Sequence, residues 1–290
     1  MVRKLVSLGA EVHVPFRDPK KTERIPGAQL YGLDLTNAPA LAALFTTVKP
    51  QVVFHFAQPP SLHQKSAWER MEETQQSLAL LTHLLSLSGE VERFVHACSS
   101  TVYGHLGEQA FAESAVLTPD SVRGLMKLHE RNTCLFFANN EGVPVVLGRI
   151  FRAYGPWDQP DKLIARALES QHGGEPLRLI AGTARRDYVF VEDLAEGFLR
   201  LGTYPLHPGT EINLGSGQMY TPHEIIEALN EVLPTPVPID TEAYPSVTMD
   251  KAYWQADTQR AQALLGWQAT TSLQDGLRQT VAWHQNQRTP

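Results

Sequence analysis

Two stretches of the sequence decide the fold: residues 52–57 read VVFHFA and residues 93–99 read RFVHACS. Both are continuous apolar runs rather than alternating ones, which is typical of parallel strands buried on both faces of a sheet. Helix-length segments separate them from each other and from a third such run at 143–150. Strands that alternate with helices at these spacings predict a doubly wound α/β sheet up to about residue 150.

Outside these runs the sequence predicts further elements that extend the same pattern. In chain order they are a helix at 2–8, strands at 11–16 and 29–33, and helices at 39–48, 66–88 and 121–141. After residue 155 the regular alternation of strands and helices is replaced by loops, short strands and helices that begin with capping residues. We therefore expect a sheet domain over residues 1–155 and a smaller, partly interleaved lobe over residues 156–290.

Composition narrows the classes of function. The chain has 290 residues, 42% of them hydrophobic and 19% charged, which is an ordinary globular composition. The formal net charge of −6 argues against nucleic acid as a partner, because proteins that bind the phosphate backbone of nucleic acids normally carry a surplus of Lys and Arg. No apolar stretch is long enough for a membrane span and the first residues are too polar for a signal peptide, so we expect a soluble, cytoplasmic protein.

The spacing of cysteines and histidines predicts no metal site. Cys98 and Cys134 lie inside apolar runs and are interpreted as reduced core residues. His96 alternates with Cys98 along one buried strand and is interpreted as a packing residue. The 11 histidines show neither HxxxH nor HExxH spacing, so none of them forms a recognisable metal motif.

The polar residues that end the buried strands are the candidate functional residues, because ligands of doubly wound sheets bind beyond the carboxyl ends of the strands. His55 holds this position in the first run and Ser99 in the second. Arg123 and Lys127 lie four residues apart on the predicted helix at 121–141 and therefore on one face of it. We expect the serine and this basic pair to lie close together.

Six segments, in chain order, resemble the motifs of one family. They are FHFA at 54–57, SSTVYG at 99–104, RIFRAYGP at 149–156, RDYVFVED at 186–193, NLGSG at 213–217 and LGW at 265–267. Together they resemble the extended short-chain dehydrogenase/reductases, the NAD-dependent epimerase/dehydratase family that acts on nucleotide sugars. The resemblance covers essentially the whole chain and implies a Rossmann-like parallel sheet with a smaller C-terminal substrate lobe.

The resemblance also implies ligands and the residues that bind them. A nicotinamide dinucleotide, NAD or NADP, is expected on the N-terminal sheet, and a small-molecule substrate, a nucleotide sugar or a related metabolite, in the C-terminal lobe. The positions that match the family's cofactor-binding residues are Asp34, Leu35, Phe56, Ala57 and Lys127, and those that match its substrate-binding residues are Ser100, Thr101, Arg152, Arg186 and Asp187. A homodimer through the two long helices, 66–88 and 121–141, is implied as well.

The catalytic residues depart from the family pattern at one position. Ser99 and Lys127 match the serine and lysine of the family's Ser/Thr–Tyr–Lys group, but Arg123 stands where the tyrosine is expected. A guanidinium is always protonated and cannot serve as the base that removes a hydroxyl proton. It can bind a carboxylate or phosphate or stabilise an enolate, so Arg123 remains a candidate catalytic residue. Tyr103, the nearest tyrosine, is interpreted as structural.

The beginning of the chain departs from the pattern as well. The family opens with a strand and a GxxGxxG turn, whose backbone approaches the dinucleotide pyrophosphate at a helix N-terminus. The sequence begins with a predicted helix, so this first strand is expected to be missing, through either a late start site or natural decay or repurposing. The only GxG, at 215–217, is interpreted as a tight loop. Arg17 and Asp18 offer both signs of charge, which leaves the choice between NAD and NADP open.

Several of these residues have structural interpretations that the sequence leaves open. His55 fits a core or hydrogen-bonding histidine better than a catalytic base. Asp34 also fits a helix-capping turn. Arg152 fits a solvated or ion-paired residue as well as a phosphate ligand, and Arg186 with Asp187 fits a structural ion pair as well as a substrate contact.

The function predicted from the whole pattern is that of an NAD(P)-dependent nucleotide-sugar epimerase or dehydratase-like protein with a degenerate catalytic site. One alternative is a repurposed, cofactor-independent isomerase, lyase or cyclase, in which Arg123 and Lys127 bind an anionic group. Another is a non-catalytic binding subunit on the same scaffold.

Overall fold

The computed structural model describes residues 1–16, 26–58, 66–104, 109–180, 184–244 and 253–288. Up to residue 150 the elements are α1 (Val2–Ser7), β1 (His13–Phe16), β2 (Gln29–Gly32), α2 (Ala38–Val48), β3 (Val52–His55), α3 (Ala67–Ser86), β4 (Arg93–Ser99), the 3-10 turn Ser100–Val102, α4 (Val122–Asn140) and β5 (Val145–Ile150). The predicted elements of this part are present, with ends that differ by at most two residues.

The remaining elements are shorter and more irregularly spaced. They are β6 (Arg152–Tyr154), α5 (Leu163–Gln171), β7 (Leu177–Ile180), β8 (Arg185–Phe190), α6 (Val191–Thr203), β9 (Glu211–Leu214), β10 (Met219–Tyr220), α7 (Pro222–Asn230), β11 (Ile239–Tyr244), β12 (Tyr253–Trp254), α8 (Gln259–Leu265) and α9 (Leu273–Arg288). None of the helices in the described ranges is long and apolar enough to cross a bilayer.

Side-chain caps fix where the main helices begin. Ser66 and Glu69 form a reciprocal capping box at the start of α3, and Ser121 accepts the Gly124 N–H at the start of α4. The capping box predicted before α7 is confirmed, since Thr221 Oγ1 accepts the Glu224 N–H while Glu224 Oε2 accepts the Thr221 N–H.

The central sheet has the order β3-β4-β5-β9. β3 and β4 are parallel, with Val52 opposite Arg93 and His55 opposite His96. β1 and β2 form a separate two-stranded parallel sheet. The predicted α/β fold with parallel strands is confirmed. Among the described residues, β3 is an edge strand of its sheet.

The chain divides into two compact units. Unit 1 contains residues 1–104, 117–149 and 195–212, and unit 2 contains residues 105–116, 150–194 and 213–290. The chain therefore passes between the units several times, whereas the sequence predicted a sheet domain up to residue 155 followed by a partly interleaved lobe. Residues 195–212, expected in the C-terminal lobe, contribute to unit 1.

Each unit has its own apolar core. In unit 1, fully buried side chains come from the central sheet and from the helices on it, namely Leu81, Leu85, Phe94, Val95, Val145, Val146, Leu147 and Phe198. In unit 2, β8 lies between β10 and β12 and also pairs with β6. Its core includes Tyr154, Ile164, Leu168, Phe190, Ile225, Leu229 and Leu277. Burial of these side chains is the main stabilising contribution in each unit.

Candidate functional site

Ser99 lies at the carboxyl end of β4, at the position predicted for a functional residue. Its hydroxyl oxygen accepts hydrogen bonds from the Thr101 N–H at 3.3 Å and the Thr101 hydroxyl at 3.0 Å. These contacts hold the turn that follows the strand. The helix α4 packs closely on this turn, because a Cβ added to Gly124 would lie 2.5 Å from the Thr101 carbonyl oxygen. The turn after Ser99 is therefore in contact with the start of α4, and the closeness of Ser99 to Arg123 and Lys127 stays a prediction.

Lys127 lies on α4 with its side chain buried. Its ammonium donates to the Ala97 carbonyl oxygen at 3.0 Å and to Glu130 Oε2 at 2.8 Å. An ammonium has three donors, and these contacts with described residues use two of them. The protein thus fixes this charge behind the end of β4 instead of leaving it mobile at the surface.

Glu130 is a central residue of this site that the sequence interpretation missed. It is fully buried, and Oε1 accepts a hydrogen bond from the Ser77 hydroxyl at 2.8 Å. Burial alone would raise its pKa, but the contacts from His96 and Lys127 outweigh this effect and lower the pKa below its usual value. The i,i+3 spacing of Lys127 and Glu130 on one helix was the signal that could have revealed the pair.

Two histidines extend the contacts of Glu130 into the sheet. His96 Nε2 lies 3.3 Å from Glu130 Oε2, and His96 Nδ1 lies 3.1 Å from His55 Nδ1. Burial, together with the nearby His96 and Lys127, lowers the pKa of His55 to about 3. His55 is therefore a neutral, hydrogen-bonded core residue, as its structural interpretation predicted. We call Ser77, His55, His96, Lys127 and Glu130 the Lys127 cluster.

The position of Arg123 differs sharply from that of Lys127. Arg123 lies in the first turn of α4 and is exposed, while Lys127, one turn later, is buried. The lysine is held in the interior by the Glu130 carboxylate, whereas the arginine side chain is exposed. The guanidinium is in a position to meet ligands from solvent, but it retains a proton at any physiological pH and offers no base.

Tyr103 does not replace the missing phenol. Its ring is completely buried and its hydroxyl oxygen accepts a hydrogen bond from Arg149 at 2.7 Å. Arg149 also pairs with Glu211, which in turn binds Arg131 through Nε at 2.7 Å. This network ties β5, β9 and α4 together, so Tyr103 has the structural role that the sequence predicted. Glu211 had no local signal, since it lies 62 residues from Arg149 in the chain.

Four of the five residues predicted to hold a cofactor lie after β2 and β3, and the fifth, Lys127, lies on α4. Asp34 is exposed, and Oδ1 accepts hydrogen bonds from the Thr36 N–H at 3.0 Å and the Thr36 hydroxyl at 2.8 Å. These contacts form a turn just before α2, as the alternative interpretation of Asp34 predicted. Phe56 is 40% exposed and packs edge-on against Phe198. Leu35 and Ala57 are half-buried.

Cys98 and Cys134 are buried free thiols, as predicted, and burial raises the pKa of both. No group of three or more His, Cys, Asp or Glu side chains is placed to bind a metal ion within the described ranges. Arg17 and Asp18, which left the choice between NAD and NADP open, lie outside the described residues.

Asp187 in unit 2 organises the loop that contains the GxG segment. Its carboxylate accepts hydrogen bonds from the N–H groups of Ser216, Gly217 and Ala256 at 2.7 to 3.0 Å, and from the Ser216 hydroxyl. Burial raises the pKa of Asp187, and these donors oppose the rise. Because its amides bind a carboxylate of the same chain, the segment is the predicted tight loop rather than a phosphate cradle. We call Asp187, residues 215–217 and Ala256 the Asp187 loop.

The two arginines predicted to bind substrate also lie in unit 2. Arg152 is half-buried on β6, opposite Tyr188 of β8. Burial raises the pKa of Tyr188, and the adjacent Arg152 counteracts this shift. The guanidinium of Arg186 lies 4.2 Å from the centre of the Trp254 ring, a cation–π contact. Both arginines thus rest against aromatic residues of the β8 sheet.

Parallel strands alternating with helices, with Ser99 at the carboxyl end of β4, have the arrangement of Rossmann-like α/β folds. The sequence pattern of the NAD dependent epimerase/dehydratase family matches residues 1–215. The chain belongs to this family. The resemblance inferred from its six motifs is thereby confirmed, and the protein is nucleotide-sugar epimerase/dehydratase-like.

Individual relatives match over most of the chain. The UDP-glucuronate 4-epimerase of Thermodesulfobacterium geofontis is 27% identical over 269 residues, which are 91% of this chain and 80% of that protein. The UDP-glucose 4-epimerase of Thermotoga maritima, solved with UDP-glucose, has a TM-score of 0.90 at 24% identity, covering 99% of this chain and 94% of that one. The UDP-glucuronic acid 4-epimerase of Bacillus cereus, solved with UDP-glucuronic acid and NAD, has a TM-score of 0.87 at 23% identity, covering 99% and 95%. These structures share the fold of this chain.

Proposed function

We propose that the protein binds NAD and a nucleotide sugar in a site whose catalytic group is degenerate. The observation that carries this proposal is the arrangement on α4: Lys127 is buried and held by Glu130, while Arg123 is exposed one turn earlier. Support for the ligands comes from the Bacillus cereus epimerase of the same fold, which binds UDP-glucuronic acid and NAD. The family model covers the residues that would hold the cofactor.

The residues of unit 1 fit a dinucleotide. The fit rests on the exposed Asp34 carboxylate after β2, the exposed Phe56 ring after β3 and the remaining N–H of Lys127. Together with Leu35 and Ala57, these residues would hold the cofactor at the carboxyl ends of the strands, where such folds bind ligands. The nicotinamide, when bound, accepts a hydride from a sugar carbon.

The chain's own catalytic residues can orient a sugar better than they can deprotonate it. The Ser99 hydroxyl can hydrogen-bond a sugar hydroxyl, with Ser100 and Thr101 beside it, and Lys127 supplies a fixed positive charge. Arg123 cannot accept the proton. We therefore assign Arg123 to an anionic group of the ligand. Arg152 and Arg186 are assigned to the phosphates, while Asp187, saturated by loop donors, shapes the loop.

The closeness of Glu130 to Lys127 favours a second candidate, a binding protein without redox turnover. A buried carboxylate that neutralises the lysine weakens the field that would stabilise a phenolate or alkoxide nearby. In that case the fold binds the nucleotide sugar without oxidising it, as a cofactor-independent enzyme or a non-catalytic subunit.

The homodimer implied by the family resemblance is part of the same proposal. Trp68 on α3 is 79% exposed and Phe136 on α4 is 54% exposed. Large exposed apolar side chains on two packed helices favour a surface that a second copy covers. The molar mass in solution, measured by light scattering, is expected to be twice 32.2 kDa.

The decisive experiment restores a phenol on α4. Wild type is expected to bind NAD⁺ and UDP-glucuronic acid in calorimetry, with slow or no epimerisation of the sugar followed by NMR. Arg123→Tyr should raise turnover about 100-fold or more over Arg123→Phe, because a positioned general base contributes about that factor. Arg123→Phe is the matched control, since it supplies the ring without the hydroxyl.

The outcomes separate the two candidates. Ligand binding with turnover restored only by tyrosine supports a degenerate epimerase or dehydratase-like site. Sugar binding without NAD⁺ binding in all three proteins refutes the cofactor assignment and favours the second candidate. Equal turnover in Arg123→Tyr and wild type would show that a tyrosine at position 123 does not act as the general base.

A further inference from the structure

A network of polar side chains lies on one face of the two-stranded sheet β1–β2, outside the residues assigned to the proposed function. The two strands are parallel, with His13 opposite Gln29 and Pro15 opposite Tyr31. Because side chains alternate along a strand, His13 and Tyr31 lie on the same face of the sheet. Their rings stack, with centroids 5.7 Å apart. This face of the sheet therefore carries a histidine and a tyrosine in direct contact.

The histidine connects the tyrosine to a carboxylate. His13 Nδ1 lies 2.9 Å from the Tyr31 hydroxyl oxygen, and His13 Nε2 lies 3.3 Å from Glu11 Oε1. A nucleophile within hydrogen-bond distance of a base, which a third group orients in turn, is the arrangement by which proteins activate hydroxyl groups. The order here is phenol, imidazole, carboxylate. With Gln29, which contacts both ends, we call these residues the Tyr31 network.

Glu11 determines which nitrogen of His13 can act as a base. A carboxylate only accepts hydrogen bonds, so the nitrogen that faces it, Nε2, carries a hydrogen. In the neutral ring the other nitrogen, Nδ1, then has a lone pair. The Tyr31 hydroxyl, 2.9 Å away, donates its hydrogen to this lone pair. The phenolic proton is thus directed at a base.

Gln29 allows the network to hold that proton on either side. Gln29 Nε2 donates to Glu11 Oε1 at 2.6 Å, which orients the amide, and Gln29 Oε1 lies 3.2 Å from the Tyr31 hydroxyl oxygen. When His13 carries both hydrogens, its Nδ1–H donates to the Tyr31 oxygen, and a phenolic hydrogen can turn to Gln29 Oε1. Proton transfer from phenol to imidazole therefore needs no movement of heavy atoms, which suits general-base catalysis.

The surroundings of Tyr31 limit the molecules with which it can react. Tyr31 and His13 are half-buried, so the phenol borders solvent. The Glu11 side chain is 71% exposed, and its negative charge lies next to the imidazole. This charge repels phosphoryl donors, which are anionic, whereas it does not repel an uncharged acyl donor. The electrostatics thus favour acyl transfer over phosphoryl transfer.

We propose that Tyr31 is a nucleophilic site that accepts an acyl group from an uncharged activated ester, with His13 as its base and Glu11 as a positioning residue. The phenolic oxygen forms a bond to the acyl carbon, and the bond from that carbon to the leaving oxygen breaks. The phenolic proton passes to His13 Nδ1 and then to the leaving oxygen. The products are an acyl ester of Tyr31 and a free alcohol, so the step needs no oxidant or reductant.

Acetylation by p-nitrophenyl acetate tests the site in the full chain at neutral pH. Peptide mass spectrometry follows the acetyl group on each tyrosine with time. Tyr204 is the internal control, because it is 37% exposed and lies beside the Arg200 guanidinium. Tyr31 is less exposed, yet it should be acetylated about 10-fold faster or more, which is a modest part of the factor that a positioned base contributes.

Substitutions in the network distinguish a base from a structural contact. His13→Phe keeps a ring against Tyr31 and removes the base, so acetylation of Tyr31 should slow by about 10-fold or more while the rate at Tyr204 stays the same. Glu11→Asp keeps the carboxylate and should remain closer to wild type than Glu11→Leu, which removes it. A purely structural role of Glu11 would give no such order between the two variants.

The outcomes are decisive whether or not the protein binds NAD⁺ or a nucleotide sugar. Fast acetylation of Tyr31 that is lost in His13→Phe supports the proposal. Equal rates at Tyr31 and Tyr204 in wild type would overturn it, and so would fast acetylation of Tyr31 that persists in His13→Phe. If circular dichroism shows that His13→Phe does not fold, His13→Gln takes its place, because an amide is polar but is not a base.

Discussion

The Lys127 cluster in unit 1 and the Asp187 loop in unit 2 both bury a carboxylate, but they satisfy it in opposite ways. Asp187 receives its hydrogen bonds from three backbone N–H groups and one hydroxyl of its own loop. Glu130 receives them from the side chains of Ser77 and Lys127, with His96 alongside. Backbone donors come with the loop itself, whereas the side chains around Glu130 must be supplied by three separate positions in the sequence.

The difference helps to separate structural from functional burial of charge. The Asp187 carboxylate has a donor on each oxygen and fixes the shape of the loop, which accounts for its burial. The Lys127 cluster holds a charged pair and two neutral imidazoles, and the Nε2 atoms of both imidazoles are without a hydrogen-bond partner among the described residues. Replacing a buried ion pair by apolar residues of similar volume is often neutral or stabilising, so stability alone does not account for the charges of the cluster. The cluster is therefore where we expect ligand chemistry.

The largest expected effect comes from breaking the charged pair of the cluster. Glu130→Ala leaves the Lys127 ammonium buried without its anion, so we expect a loss of about 4 kcal/mol in the free energy of unfolding. The measurement is urea denaturation followed by circular dichroism. The control is the double variant Glu130→Leu with Lys127→Met, in which no charge remains and most of the loss should be recovered. A loss below about 1 kcal/mol for Glu130→Ala would show that water reaches the pair.

Removing the Asp187 carboxylate should lower the free energy of unfolding by less than Glu130→Ala does. No second substitution that removes a charge should restore the loss, because the donors to Asp187 are uncharged. Asp187→Ala removes the acceptor of the Ser216, Gly217 and Ala256 N–H groups, and we expect a loss of about 3 kcal/mol by the same measurement. The loop can open to water, which limits the loss. Asp187→Asn is the matched control, because its amide oxygen still accepts from part of the loop and should cost less. Equal losses for both variants would mean that the carboxylate charge, rather than the geometry of its hydrogen bonds, holds the loop.

The two regions also differ in what their sequence could predict. Apolar runs indicated the buried strands, and their ends pointed to Ser99 and His55. The contact between Lys127 and Glu130 is local and was available from their spacing. The Asp187 contacts were not, because they depend on loop closure over 29 to 69 residues. His96 was expected only to pack, since nothing in a strand sequence shows that a carboxylate from a helix will face it.

A fall in pH should lower the free energy of unfolding through the Lys127 cluster and raise it through the Asp187 loop. This effect is smaller than those expected for Glu130→Ala and Asp187→Ala. Burial and the charges nearby lower the pKa of His55 to about 3 from an ordinary 6.5. Below pH 6.5 the unfolded chain therefore binds a proton that the folded protein does not, so stability is complete above pH 6.5 and is lost as the pH falls toward 3. Burial raises the pKa of Asp187 instead, so its contribution to stability grows as the pH falls.

At pH 5 the His55 effect should reach about 2 kcal/mol, because each pH step below 6.5 is worth about 1.36 kcal/mol. Urea denaturation at pH 7.5 and pH 5 measures it as the difference between wild type and His55→Phe, which lacks the titrating ring but fills its space. At pH 5 the free energy of unfolding of wild type should exceed that of His55→Phe by less than it does at pH 7.5, or should fall below it. The difference in free energy of unfolding between wild type and Asp187→Asn should instead grow in favour of wild type at pH 5, because the variant lacks the carboxyl group whose contribution to stability increases as the pH falls. If both differences moved in the same direction, the cluster and the loop would share one electrostatic environment, and the distinction between a ligand-directed and a structural buried carboxylate would fail.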